Sequence, residues 1–204
     1  MEYWNSILTE KSWNLLQEIR KKYNFVLIGG WATYLWVGMQ KSKDIDIVVD
    51  INELQKLKQE NLVKNDNLKK YEIKKEEIDI DVYAFHYSKL TIPTEDIRIY
   101  STKIEGFDVV IPEVLLILKQ GAELNRRNSI KGEKDRIDIV SLLFFSKIDF
   151  NKYFSILKKY KLEDYLNELI KLLKEFKDYN SLNLNPREFK LKRQEIMNKL
   201  KIVK

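Results

Sequence analysis

Cysteine is absent from the 204 residues, histidine occurs once, and glycine only six times. Without cysteine the chain forms no disulfide and builds no thiolate metal site. With a single histidine, His86, there is no imidazole cluster either, so a metal bound here would meet oxygen ligands. No apolar run approaches the roughly 18 residues that a bilayer span requires. The opening stretch "MEYWNSILTEK" has no signal-peptide core. A cytoplasmic protein without a membrane partner is the expectation. Internal repeats and low-complexity linkers are also lacking.

What is present describes a globular chain: 44% of residues are hydrophobic and 33% charged. A chain of this length buries one good core, or a core with a helical appendage. The 37 basic and 31 acidic residues leave a net charge of +6. That charge is uneven, because residues 151–204 carry 14 Lys/Arg against 7 Asp/Glu and the rest is near neutral. Such a region attracts phosphate backbones or is simply a solvated, lysine-rich helix surface.

"SILTEKSWNLLQEIRKKY" places Leu8, Trp13, Leu15, Leu16, Ile19 and Tyr23 near a 3.6-residue period, which predicts an amphipathic helix. "NFVLIG" predicts a short buried strand, "GWATYLWVG" a short helix, "DIDIVVD" a second strand and "NELQKLKQENL" a further helix. "KKYEIKK" and "EEIDIDVYAF" alternate as two tightly joined strands, and "DIRIYSTKIEGFDVVIP" predicts a hairpin turning at Glu105–Gly106. From Pro112, suited to a first helical position, the chain is expected to be helical, over 112–127, 133–145, 150–158, 162–177 and 186–200. The organisation expected is a mixed-sheet α/β module over residues 1–111 and a helical module over 112–204.

Two carboxylates in "DIDIVVD" stand out. Alternation on a strand projects Asp44 and Asp46 from one face while Ile45, Ile47 and Val49 face the core. Same-face neighbours lie roughly 6–7 Å apart, near enough to share divalent ions. The pattern returns in "IDIDVYAF" as Asp79 and Asp81, so pairing of the two strands would bring in a third carboxylate. Both point the same way; Asp81 is preferred because "DVYAF" continues best as a buried strand, with Asp79 the alternative. Like charges held together favour a cation between them. Oxygen ligands suit Mg²⁺ first and Mn²⁺ second. The plainer reading is an acidic solvent face on an edge strand, but Asp is poor in strands and here occurs twice in each of two.

Gly29 and Gly30 follow a strand and open a helix, where backbone N–H groups and the helix dipole favour an anion and glycine permits close approach. A Gly-Gly pair alone is more often a tight reversal. No G-K-[ST] follows, and G-x-G-x-x-G is not matched.

The combination of strand, Gly29–Gly30, helix, Asp44-x-Asp46 and a later Asp81 resembles the DNA polymerase β superfamily of nucleotidyltransferases. Thirteen residues separate Gly30 from Asp44, near the family spacing. Where many relatives carry R-x-T-x-D-I-D, this chain reads "QKSKDID", with Ser42 for Thr and Gln40 in the arginine position beside Lys41. In the helical half, "PEVLLILKQGAELNRRNSIKGEKDRIDIVSLL" resembles the pattern of minimal, AbiE-type (AbiEii toxin-like) members through Glu113, Lys119, Ala122, Arg126, Lys134, Asp135 and Asp138. Lys119, Ala122 and Arg126 share a helix face by their spacing.

The resemblance, covering about residues 20–145, implies an α+β nucleotidyltransferase fold, a mixed β-sheet with flanking helices, followed by a C-terminal helical bundle, with the cleft between the two modules. It implies a metal-dependent transfer of an NMP group from an NTP, ATP included, to an acceptor hydroxyl, with Asp44, Asp46 and Asp81 holding Mg²⁺. Gly29, Gly30, Ser42, Lys119, Arg126, Lys134 and Asp138 would meet the nucleotide, with Lys119 also catalytic. A toxin-like or regulatory enzyme acting on tRNA or protein, with a cognate antitoxin, is the first expectation. An aminoglycoside-type small-molecule transferase and a non-catalytic nucleic-acid or partner-binding module are the alternatives. His86 reads as a partly exposed structural residue, Trp31 and Leu35 as packing for the short helix, and "NPREFKLKRQEIMNKLK" as a capped surface helix.

Overall fold

The computed structural model describes residues 2–202, with side chains described for 6–201. The ends of the two expected modules at Met1, Val203 and Lys204 lie outside the described residues. The chain divides into two compact units, Met1–Ile111 and Pro112–Lys204.

The first unit opens with α1 (Glu2–Lys22), whose buried stripe is Leu16, Ile19 and, just beyond its end, Tyr23. There follow β1 (Val26–Ile28), α2 (Gly29–Val37), β2 (Ile45–Val49) and α3 (Ile51–Leu57), which runs on into a 3₁₀ turn. Asp50 caps α3 by accepting the Glu53 amide at 2.9 Å. Then come β3 (Val63–Asn65), β4 (Lys70–Lys75), β5 (Ile78–Ala84), α4 (Thr94–Ile97), β6 (Ser101–Ile104) and β7 (Phe107–Val110).

The seven strands form one mixed sheet in the order β3-β4-β5-β2-β1-β7-β6. β2 runs parallel to β5 and β1 parallel to β7, while the other neighbours are antiparallel. Ile45, Ile47, Val49, Ile73, Ile80 and Val82 are almost fully buried, so the central strands have the apolar alternation of a covered sheet. Trp31 is completely buried and donates its indole N–H to Ser12 Oγ at 2.9 Å, which satisfies the one polar atom that its burial would strand. It is a core residue of α2, packed on Trp13 of α1.

The segment before the last hairpin departs from expectation. "DIRIY" does not extend the hairpin; residues 94–97 are α4 and 98–100 a 3₁₀ turn, so the hairpin begins at Ser101. Pro93 precedes α4, and Glu95 and Asp96 sit in its first turn, where the dipole favours acids. The hairpin turns at Glu105–Gly106, with Glu105 O accepting from Arg20 at 2.6 Å.

The second unit is helical: α5 (Pro112–Arg126), α6 (Ile130–Phe145), α7 (Phe150–Lys159), α8 (Asp164–Glu175) and α9 (Pro186–Ile202). Its core is built from Val114–Ile117 of α5, Ile139–Leu143 of α6, Tyr153 and Leu157 of α7, and Leu169 and Leu173 of α8. α6 starts three residues earlier than its apolar period suggested, because Ser129 caps it through the Gly132 amide. No helix among the described residues is long and apolar enough to cross a membrane.

Candidate active site

The first cluster lies at one end of the central strands of the first unit. β2 and β5 pair in parallel with Asp46 level with Asp81, so two of the expected carboxylates are direct cross-strand neighbours on one face. Asp44 falls in the bend before β2, not on the strand itself, yet its charge still reaches Asp81. Asp79 lies one step back on the same face of β5, exposed and level with Lys74 of β4.

Asp46 is fitted closely to the chain reversal at the end of β1. Gly29 begins α2 at φ +68°, and a Cβ there would lie 2.0 Å from Asp46 Oδ2, 2.5 Å from its Cγ and 2.7 Å from its Cβ. The missing side chain of Gly29 thus makes the space that the Asp46 carboxylate fills. The glycine admits an anion as the sequence argued, but the anion packed on it is a carboxylate of the chain, at the positive end of the α2 dipole. Gly30 is buried in the first turn of α2, and Ser42 is buried as well.

Asp81 has a partner that sequence reasoning missed. Lys70, the first residue of β4, places Nζ 2.6 Å from Asp81 Oδ2 and 3.0 Å from Glu72 Oε1. Glu72 is the β4 residue directly opposite Asp81, so Glu72, Asp81 and Asp46 form a row of carboxylates across three adjacent strands. Burial raises the Asp81 carboxyl above the ordinary carboxylate range; the Lys70 hydrogen bond pulls it back only in part, and Glu72 and Asp44 push it further up. For Lys70, burial pulls downward, but the bonds to Asp81 and Glu72 win and the ammonium is held above the usual lysine range. The signal in the sequence was the alternation of "KKYEIKK", which places Lys70 and Glu72 on one face, although strand pairing alone shows that this face is the one bearing Asp81. Among the described residues no three Asp, Glu or His side chains converge closely enough to hold a metal ion unaided.

The second cluster lies within the helical unit. Lys119 of α5 is buried and places Nζ 2.6 Å from Asp138 Oδ2 and 3.5 Å from Asp135 Oδ1, both on α6. Arg126, one helix turn beyond α5's buried stretch, grips Asp135 with two parallel bonds, Nε to Oδ2 at 2.7 Å and Nη2 to Oδ1 at 3.0 Å. The residues of the expected K-x₂-A-x₃-R and D-x₂-D patterns are therefore brought together, and they pair with one another. Glu113 is buried and accepts the Asp149 amide at 2.9 Å, anchoring the start of α7. Lys134 is exposed on α6. His86 is exposed at φ +61° beside Glu95, with Nδ1 3.3 Å from the carboxylate.

The chain matches no family model and no curated protein. Similar solved structures include JHP933 from Helicobacter pylori, 19% identical over 95% of this chain and 93% of that one, with a TM-score of 0.49. A second H. pylori protein, provisionally named a nucleotidyltransferase, is 19% identical over 98% of both chains, also at TM-score 0.49. An antigenic nucleotidyltransferase-like protein from Paracoccidioides brasiliensis is 18% identical, covering 87% of this chain and 97% of that one, at TM-score 0.41. Likenesses of this depth establish neither a family nor an activity.

Proposed function

We propose that the chain is a metal-dependent nucleotidyltransferase that moves an NMP group from an NTP to an acceptor hydroxyl on tRNA or a protein. The observation that carries this reading is the register of Asp46 beside Asp81, with the Asp46 carboxylate seated on Gly29 at the start of α2. The donor chemistry, carboxylate oxygen from the bend before β2 and from β2 and β5 with no sulfur or imidazole, is the kind that a hard divalent ion such as Mg²⁺ or Mn²⁺ prefers. Asp44, Asp46 and Asp81 would hold it. When bound, it supplies Lewis-acid stabilisation of the transferring phosphoryl group and eases deprotonation of the attacking hydroxyl.

The chain's own groups do the rest. Triphosphate oxygens would meet the backbone N–H groups at Gly29 and Gly30 beside the Asp46 carboxylate already packed there. Lys119 and Arg126, already neutralised by Asp138 and Asp135, act by fixing α5 against α6, and exposed Lys134 is the cation of that set positioned for an anionic ligand. The basic surplus of residues 151–204 favours a polyanionic acceptor such as tRNA. A cognate antitoxin is the partner that an AbiE-type role would add.

Incubation with labelled NTPs and either total RNA, lysate protein or purified aminoglycosides tests the reading. Transfer to RNA or protein is expected with Mg²⁺ or Mn²⁺, and Asp44→Ala with Asp46→Ala is expected to abolish it. Label on aminoglycosides alone would replace the acceptor class, and absence of any transfer with either metal refutes the reading.

A further inference from the structure

We propose that α9 and the link between α6 and α7 form a docking surface for the phosphate backbone of an RNA. The identity of the partner rests on the RNA-acceptor reading above; the surface itself rests on how charge is sorted in the helical unit. α9 buries Phe189, Ile196 and Leu200 and turns Arg187, Lys190, Leu191, Gln194, Asn198 and Lys201 outward. That outer stripe carries three cations, two amides and no carboxylate. Both acids of the helix lie beside it and are engaged within the chain. Glu188 accepts the Asn185 amide at 3.0 Å while Asn185 Oδ1 accepts the Glu188 amide at 2.9 Å, a reciprocal cap. Glu195 is bonded to Lys199 at 2.6 Å, which neutralises both. An ordinary solvated helix intersperses the two signs, as α8 does with Asp164 and Glu175 among Lys171 and Lys174.

A groove of about 370 Å³ adjoins the stripe, between α9 and the link at the end of α6, where Lys192 and Lys199 meet Lys147 and Asp149. Phe144, Phe150 and Ile196 close its apolar side. Asp149 is spent as the N-cap of α7, accepting the Asn151 and Lys152 amides at 2.9 and 3.1 Å. Lys192 rests over the Phe145 ring, 4.8 Å from its centroid, and gives one of its three donors to the Phe144 carbonyl at 3.3 Å. Lys147 is exposed, with no ion pair among the described residues. The chemistry of this surface selects its occupant. A lipid surface needs a broad apolar face to bury, and the stripe offers Leu191 alone. A protein interface centres on apolar and aromatic anchors and is depleted of lysine. Phosphates, in contrast, are held by guanidinium, ammonium and amide donors. Arg187 and Lys201 lie roughly 21 Å apart along the helix, a length over which a nucleic acid presents several phosphates.

The test is fluorescence anisotropy of fluorescein-labelled tRNA with the full chain, without NTP and over a series of salt concentrations. Wild type is compared with three triple variants, each checked for folding by circular dichroism. The first removes charge from the surface: Lys147→Gln, Arg187→Gln and Lys190→Gln. The second keeps it: Lys147→Arg, Arg187→Lys and Lys190→Arg. The third removes the same charge from the mixed surface of α8 and its end: Lys171→Gln, Lys174→Gln and Lys177→Gln. The first triple is expected to weaken binding at least about tenfold and to lower the slope of log affinity against log salt by about three. The other two should stay within about twofold of wild type. Equal losses in the first and third triples overturn the surface, because net charge alone would then be read. Preferential binding to polyglutamate or to phosphatidylglycerol vesicles, or no salt-dependent binding to tRNA, overturns the RNA partner. Since no NTP is present, catalysis does not enter. A chain that binds tRNA through α9 yet transfers no label would refute the proposed reaction and leave the docking surface standing.

Discussion

Replacing Gly29 with alanine isolates the contact on which the candidate site is built. Two costs are combined there. A non-glycine residue at φ +68° pays about 1–2 kcal/mol for the left-handed backbone. The new Cβ would also lie 2.0 Å from Asp46 Oδ2 and 2.5 Å from its Cγ, distances at which the carboxylate has to leave. Its displacement from the positive end of α2 forfeits about a further 0.3–1 kcal/mol. Gly38 supplies an internal control at the other end of the same helix. Its φ is +70°, its amide donates to Tyr34 O at 2.7 Å, and a Cβ there meets nothing within 4 Å. Gly38→Ala therefore pays the backbone cost alone. In urea unfolding, with a slope of about 2 kcal/mol/M, Gly29→Ala is expected to lower the midpoint by about 1.1 M or more and Gly38→Ala by about 0.75 M. In an Asp46→Ala background, which removes Oδ2 and Cγ but leaves Cβ 2.7 Å from the new methyl group, only the part of the excess owed to the carboxylate should vanish. Equal destabilisation by Gly29→Ala and Gly38→Ala would refute the claim that Asp46 fills the glycine's space.

Two further outcomes are expected. Lys119→Met removes the ammonium bonded to buried Asp138, while Asp135 keeps its two bonds from Arg126, and should cost about 3–5 kcal/mol in denaturant unfolding; adding Asp138→Leu should recover much of it. Glu60 accepts from Lys75 Nζ at 2.6 Å and from the Tyr23 hydroxyl at 2.6 Å, and these bonds hold its carboxyl below the usual range against the opposing effect of burial. Its folded-state affinity for protons is lowered, so its stabilisation is full above the ordinary Glu range and is lost as the pH falls through the lowered value. Glu60→Gln should flatten the acid limb of the stability–pH curve measured by urea unfolding, and an unchanged acid limb would contradict the assignment.

The sequence was most informative where one period ruled. Ile45, Ile47 and Val49 alternate strictly, and β2 lies where that alternation placed it. The Asp46-to-Asp81 register was legible only as a conditional, since which strand lies beside β2 is decided by sheet order and not by local pattern. The role of Lys70 was not legible for the same reason, because its meaning comes from a residue eleven positions later on the neighbouring strand. "DIRIY" misled because its alternation suits a strand while Pro93 and the acids behind it start a helical turn. Lys119 and Arg126 were placed correctly on one helix face, but periodicity says nothing about what faces them across the gap, and there the answer is Asp138 and Asp135.

The parallel pairing of β1 with β7 bears on how the first unit comes into being. Val26 and Leu27 lie beside Asp108 and Val109, residues about eighty positions later in the chain. On a ribosome, β1 emerges early with only β2 to satisfy one of its edges, and the other edge waits until Phe107–Val110 is delivered. Long loops of this kind are slow to close because their entropy is spent before any contact repays it. The strand that leads into Gly29 is thus sealed into the sheet by the last strand made before the helical unit begins, so the carboxylate seat on that glycine is completed late in synthesis.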